Sequence, residues 1–286
     1  MAKRERLVVC ASHSPGMERD ADKIFGTDFR DGLAQAAARV QEFDPDYIVL
    51  FGGDHRRAFR HVVPSFGVAL SAGVIAEGGH PAGALSVPWD KAHALAEHLL
   101  ESHFDIGVCR DIELDHAFAQ PLRDLTGTLD RYPVIPVPVN CATAPLPHAR
   151  RVLDFGNAVC RYLDEQGDRV LVIGTGGLSH SPPSLELDAY EIDDEERARV
   201  IAEGFSSARK KIKPEWDKSL LDAFAAADRS ALVELSASAQ ARAGVGANEI
   251  RTWLAASAAG GGGPLSVLVY EPVEEWITGM AVAVAG

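Results

Sequence analysis

The chain has 286 residues, 47% of them hydrophobic and 24% charged, with a formal net charge of −13 at pH 7. That length allows one large domain or two small ones with a sizeable core, and the acidic balance excludes a nucleic-acid surface, which needs clustered Lys and Arg. No apolar run approaches the ~20 residues of a membrane span, and residues 7–11 are too short for a signal-peptide core, so a cytoplasmic protein without a membrane partner is expected.

In chain order, residues 7–10 read as a buried strand that empties into Ser12-His13-Ser14-Pro15. A helix follows over about 28–43, with Leu33, Ala37 and Val40 on one face, and Asp44-Pro45-Asp46 stops it. Residues 47–51 form a second apolar strand ending in Gly52-Gly53-Asp54-His55. Residues 62–75 read as strand and loop, 89–104 as a helix, and 106–109 as a short strand. Next comes the run from Glu113 to Leu122, containing Asp115-His116, and then a Pro-interrupted stretch over 132–139 with the character of an edge strand. A helix over 148–165 leads to the apolar strand of residues 169–173 and the sequence Gly174-Thr175-Gly176-Gly177-Leu178-Ser179-His180-Ser181-Pro182-Pro183. Residues 193–241 are helical in pattern with a break at Pro214, and 248–258 make another helix. The glycines of 260–263 form a turn, and residues 265–270 and 279–285 close the chain as strands.

Strands alternating with helices predict an α/β fold of three layers, α/β/α, with a central mixed sheet and a helical insertion before the last strands. The expected organisation is a single domain over 1–286 with a helical subdomain at about 193–258. Cys10, Cys109, Cys141 and Cys160 lie far apart without a CxxC pair, so free thiols are expected in place of disulfides or a zinc site.

Four of the ten histidines, His13, His55, His116 and His180, stand in or beside loops, three of them just after an apolar strand. Any one alone reads as a structural histidine; four delivered this way point to a shared site. A metal is the natural reason to gather imidazoles, and two with one carboxylate would leave open positions on ferrous iron. Asp54, Asp115 and Glu249 are the candidate carboxylates, and spacing does not choose among them. The glycines of 174–177 fail the GxGxxG pattern because Ser179 holds its last position, and no Walker Lys-Ser or Lys-Thr pair or GxSxG elbow is present.

Ser12-His13-Ser14-Pro15, Gly53-Asp54-His55, the run from Leu114 to Leu122, the run from Gly174 to Pro183, and Asn248-Glu249-Ile250-Arg251-Thr252-Trp253 together resemble the class III (LigB-type) extradiol ring-cleaving dioxygenases. The likeness extends in order from position 7 to Trp276. It implies that His13, His55 and Glu249 ligate Fe(II), and that His116 and His180 are acid–base groups outside the metal's ligand set. Asp54 and Asp115 then orient their neighbouring histidines. A neutral His180 would accept a proton from a catechol, and a protonated His116 would assist the later steps. The implied reaction consumes O2 and opens the ring of a 3-substituted catechol, carboxylated ones such as 2,3-dihydroxyphenylpropionate among them. Arg56 or Arg57 would pair a substrate carboxylate. The sequence departs from the family pattern at Arg56-Arg57 and in a shorter segment between Pro183 and Trp216, which bears on the substrate more than on the chemistry. A homo-oligomer is expected. The competing readings are a zinc hydrolase using the same cluster and a non-catalytic binding protein on the same fold.

Overall fold

The structure is a computed structural model that describes residues 5–77, 79–187 and 193–286; the basic residues 1–4 lie outside it. In chain order its first half comprises β1 (Arg6–Ala11), α1 (Pro15–Arg19), α2 (Thr27–Phe43), β2 (Tyr47–Gly52), β3 (Gly67–Ala69), β4 (Ala72–Val74), β5 (Gly83–Ala84), α3 (Trp89–Glu101), β6 (Gly107–Cys109), β7 (Ile112–Leu114), α4 (His116–Thr126) and β8 (Val134–Pro138). The second half comprises α5 (Ala149–Gln166), β9 (Val170–Thr175), α6 (Pro183–Glu186), α7 (Asp194–Ala208), α8 (Pro214–Ala225), α9 (Arg229–Ala243), α10 (Ile250–Ala259), β10 (Ser266–Val273) and β11 (Thr278–Ala285).

Six strands form the main sheet in the order β10-β11-β1-β9-β2-β8. Strands β1, β9, β2 and β8 are parallel, while β11 runs antiparallel to both β1 and β10, so the sheet is mixed as expected. Alternate side chains enter two separate cores. Val8, Cys10, Val49, Phe51 and Val172 pack under α5, α10 and α3, and Val9, Ile48, Leu50, Leu171 and Ile173 pack under α2 and α4. Burial on both faces is why these strands are continuous apolar runs in the sequence. Strand β8 carries Pro136 and Pro138 and lies at the sheet edge, where a missing N–H costs no ladder bond.

The segment over 62–75 behaves differently from the main strands. Its β3 and β4 are three residues each and pair with β6 and β7 in two small sheets of their own. Helix α3 stops at Glu101, before the expected 104, because the chain turns at His103 with a left-handed φ of 62°. Among the described residues no helix is long and apolar enough to cross a membrane.

Candidate metal and acid–base site

The register of the parallel strands sets the site. Ala11 pairs with Thr175 and Phe51 with Gly174, so β1, β9 and β2 end at one level in adjacent positions. The loops that follow therefore bring His13, His55 and His180 to the carboxyl edge of the sheet, where open α/β sheets place ligands. The N-terminus of α4 adds His116, and the turn before α10 adds Glu249.

Each flanking residue fixes one of these groups. The Ser12 Oγ accepts from Ala281 N–H at 2.9 Å, tying the first loop to β11. Gln120 on α4 accepts from Ser14 N–H at 3.1 Å and donates to the Ser14 carbonyl at 3.0 Å, which locks the same loop to a second element. The His13 Nδ1 lies 2.7 Å from Thr175 Oγ1. Thr252 donates its hydroxyl to the Thr175 carbonyl at 2.6 Å, joining the end of β9 to α10. Glu249 accepts from Gly177 N–H at 2.7 Å. A side chain on Gly176 would collide with Glu249, so that close approach of backbone to carboxylate requires glycine there.

His55 sits between two carboxylates. Its Nδ1 is 3.0 Å from Asp115 Oδ2, and its Nε2 is 2.9 Å from Glu249 Oε1. Asp115 also accepts from His55 N–H at 2.8 Å and caps α4 by accepting from Ala117 N–H at 3.0 Å. The expected pairing of each aspartate with its sequence neighbour is thus not what the fold builds. Asp115 holds His55, which is 60 residues away in sequence, while Asp54 accepts from the backbone N–H groups of Arg57, Ala58 and Phe59 and so shapes the turn after His55. Adjacent residues point apart at a helix start, and the cap geometry leaves Asp115 facing the end of β2.

His116 and His180 have different partners. The Nδ1 of His116 lies 2.8 Å from Glu77 Oε2, and the Nδ1 of His180 lies 3.1 Å from the Leu178 carbonyl. A carbonyl can only accept, so His180 carries its proton on Nδ1 when neutral and keeps a lone pair on Nε2. That Nε2 is 3.8 Å from Glu249 Oε2. The His180 loop is anchored by Asp217, a fully buried carboxylate on α8. It accepts from Ser179 N–H at 2.7 Å, Ser179 Oγ at 2.6 Å and Tyr270 OH at 2.7 Å. Glu77 and Asp217 have no motif signal in the sequence; only the fold brings them to the histidines.

The electrostatics follow from burial and pairing. Burial holds the His13 imidazole down at about 3, against the pull of Glu249. Burial alone would lower His55 too, but Asp115 and Glu249 on either side outweigh it and raise it well above the usual value. For Glu249 burial would raise the carboxyl, and His180, His55 and His13 together hold it at about 2. Burial likewise opposes ionisation of Asp115, and the charge and hydrogen bond of His55 keep it below the usual carboxylate range.

Can these residues hold a metal? One ring nitrogen from each of His13, His55 and His116 lies within 4.8 Å of the others. The His55 and His116 rings stack at 4.5 Å, and His13 stands edge-on to both. Glu249 adds a buried carboxylate oxygen beside His55. Imidazole nitrogens with a carboxylate oxygen suit a first-row divalent metal, so the donors fit. By distance, His116 joins His13 and His55 in one cluster of which neither Glu249 nor His180 is a member; Glu249 reaches His55 at 2.9 Å and His180 at 3.8 Å. The histidines open onto a cavity of about 270 Å³, walled also by Trp276, Ile277, Ile201 and Phe205. That is room for one aromatic ring with a short substituent.

Residues 7–281 match the family described as the catalytic LigB subunit of aromatic ring-opening dioxygenase. The chain is 37% identical to the 2,3-dihydroxyphenylpropionate/2,3-dihydroxicinnamic acid 1,2-dioxygenase of Azotobacter vinelandii, over 96% of this chain and 97% of that protein. It is also 37% identical to the protein of the same name from Paraburkholderia xenovorans, covering 95% and 94%, and 38% identical to a Pseudomonas putida relative, covering 87% and 88%. Among solved structures, an uncharacterised Escherichia coli K12 protein shares the fold with a TM-score of 0.57 at 12% identity, over 98% of this chain and 99% of that one.

Proposed function

The chain belongs to the LigB family of aromatic ring-opening dioxygenases, and from that premise we propose that it is an Fe(II)-dependent extradiol dioxygenase, acting as one catalytic domain on a 3-substituted catechol. The substrate class rests on the names of its relatives, which act on 2,3-dihydroxyphenylpropionate and 2,3-dihydroxycinnamate. One observation carries the reading: His13, His55, His116, His180 and Glu249 meet at one sheet edge, the four histidines opening onto a cavity the size of an aromatic ring.

In this reading His13, His55 and Glu249 hold the iron. When bound, ferrous iron would supply a Lewis acid for the catechol oxygens and a redox partner for O2. The protein supplies the proton handling. His180, with its free Nε2 lone pair on the cavity wall, takes a catechol proton. His116 returns a proton during ring opening, and the Glu77 carboxylate beneath its Nδ1 balances the charge while the proton is held. Thus a carbonyl stands behind the base and a carboxylate behind the acid. Trp276, Ile201 and Phe205 line the cavity and exclude water from the reacting ring. Both oxygen atoms of O2 end in the ring-opened dienoate.

The test is oxygen uptake with formation of a yellow product when Fe(II)-loaded protein meets a panel of 3-substituted catechols in air. No uptake across the panel would sink the reading. Fe(II) binding by Glu249→Gln and His116→Ala variants separates the two possible donor sets, with loss expected in the first and retention in the second. The reading extends to a cytoplasmic homo-oligomer. Four free cysteines support a reducing compartment, and light scattering on the purified chain tests the assembly.

A further inference from the structure

We propose that Arg197, on α7, binds the carboxylate of the substrate's 3-substituent and thereby sets specificity for anionic catechols; this rests on the catechol-cleaving reading of the cavity.

Helix α7 turns Arg197, Ile201 and Phe205 into the same cavity as the histidines. Their spacing of four residues places them in one stripe along the helix, a cation followed by two apolar side chains. A substrate with an aryl or alkyl portion and a terminal anion matches that sequence of surfaces.

Three arginines line the cavity, and they are not equivalent. Arg19 donates to Asp20 at 2.6 Å and to the Glu275 carbonyl at 3.1 Å. Arg57 pairs with Asp194 at 2.6 Å and lies 3.7 Å from Glu77. Arg197 differs: among the described residues its buried Nε has no hydrogen-bond partner and it forms no ion pair, although Asp194 and Glu77 lie near enough to favour its charge. Burial and the like charge of Arg57 disfavour its charge, Asp194 and Glu77 offset them only in part, and an incoming carboxylate would stabilise the guanidinium further. A guanidinium presents a planar fork of donors that a carboxylate satisfies with two parallel hydrogen bonds.

Arg56, which the sequence made a candidate beside Arg57, has another task. It donates to the carbonyls of Ala142, Leu185 and Leu187, joining the turn after β2 to the loop at Ala142 and to the end of α6. Arg57 contributes as the neighbouring cation, with Asp194 to balance it.

The experiment compares the Fe(II)-loaded wild type with Arg197→Gln, Arg197→Lys and Arg199→Gln. Arg199 sits on the same helix but pairs with Glu196 and Glu203 in solvent, so it serves as the control. The first readout is the ratio of kcat/KM for 2,3-dihydroxyphenylpropionate to that for 3-propylcatechol, which lacks the carboxylate. The second is anaerobic binding of 3-phenylpropionate, which carries the carboxylate but no hydroxyls and is not cleaved. Arg197→Gln is expected to lower the ratio at least tenfold, through KM, and to weaken 3-phenylpropionate binding by a similar factor. Arg197→Lys should fall between, and Arg199→Gln should keep the wild-type ratio. A ratio and an affinity within twofold of wild type in Arg197→Gln would overturn the assignment, as would a wild type with no preference for the carboxylated substrate. Should Arg197→Gln fail to fold, Arg197→Lys decides by the same criteria. If 3-phenylpropionate binds through Arg197 but no catechol is cleaved, the catalytic reading fails and the Arg197 assignment stands.

Discussion

Helices α7 and α10 flank one site but are held in opposite ways. Every residue of α10 is buried, and it packs on β9 and α5 directly after Glu249. Helix α7 buries only Ala208, and its first turn is acidic and exposed. The groups assigned to chemistry therefore stand on the part of the molecule that cannot shift without opening the core. The groups assigned to substrate selection stand on a helix whose outer face is solvent. The division teaches how one scaffold can keep its reaction while changing its substrate: α7 can be altered without unpacking either core.

The largest expected effects test the buried side. Glu249→Gln or His13→Ala should remove bound Fe(II) and lower turnover by about 10³-fold or more, since losing a metal ligand removes the Lewis acid together with its site. Metal analysis of anaerobically purified protein checks this. Equal losses of iron from substitutions on α7 would break the comparison. One step smaller, His180→Ala and His116→Ala should each keep iron and lower kcat by about 10²–10⁴-fold, the usual worth of positioned acid–base groups. Iron content measured beside kcat distinguishes these from the ligand variants. Full turnover in both would remove their assigned roles.

The exposed side of the comparison has a milder test. Asp193 caps α7 by accepting from Glu196 N–H at 2.8 Å. Removing an N-cap costs about 1 kcal/mol. Asp193→Ala should therefore speed hydrogen exchange of the α7 amides by about fivefold and raise KM for the carboxylated substrate, while the iron content stays at the wild-type level. Equal acceleration in α10 would mean that the two helices open as one unit.

Much of this was legible from residue order. The apolar runs of β1, β2 and β9 announced buried parallel strands, and the prolines of β8 announced an edge. The loop histidines came together because parallel strands of matched register end level, which the sequence pattern implied. The partners behind the histidines were another matter. Glu77 reaches His116 from a loop beyond β4, and Asp217 reaches Ser179 from α8. Neither pairing has a fixed spacing, because each depends on how separate elements pack. Arg197 was hidden for the same reason: in the sequence it is one arginine among charged neighbours, and only the cavity shows which helix face it occupies. Asp115 was placed in the site by its motif but given the wrong partner, since adjacency in sequence says little about direction at a helix cap.

Helix α4 contrasts the carboxylates at its two ends, and with that contrast comes the mildest prediction. Asp115 stands at its N-terminus, where the helix dipole and His55 favour the carboxylate. Asp124 stands in its last turn, where the dipole disfavours negative charge. Burial, together with the nearby Glu18, pushes the Asp124 carboxyl up to about 7. An aspartate with a raised folded-state value binds a proton in the native protein between its unfolded value, near 3.8, and about 7. Stability from this group is therefore fully present below the unfolded value and is lost as pH rises through the folded one. Asp124→Asn keeps the shape and removes the charge. It should melt about 2–4 °C above wild type at pH 8, corresponding to roughly 1 kcal/mol in a chain of this size, and level with wild type at pH 4. A gain of the same size at both pH values would trace the effect to packing, and then the two ends of α4 would not differ in charge as the fold implies.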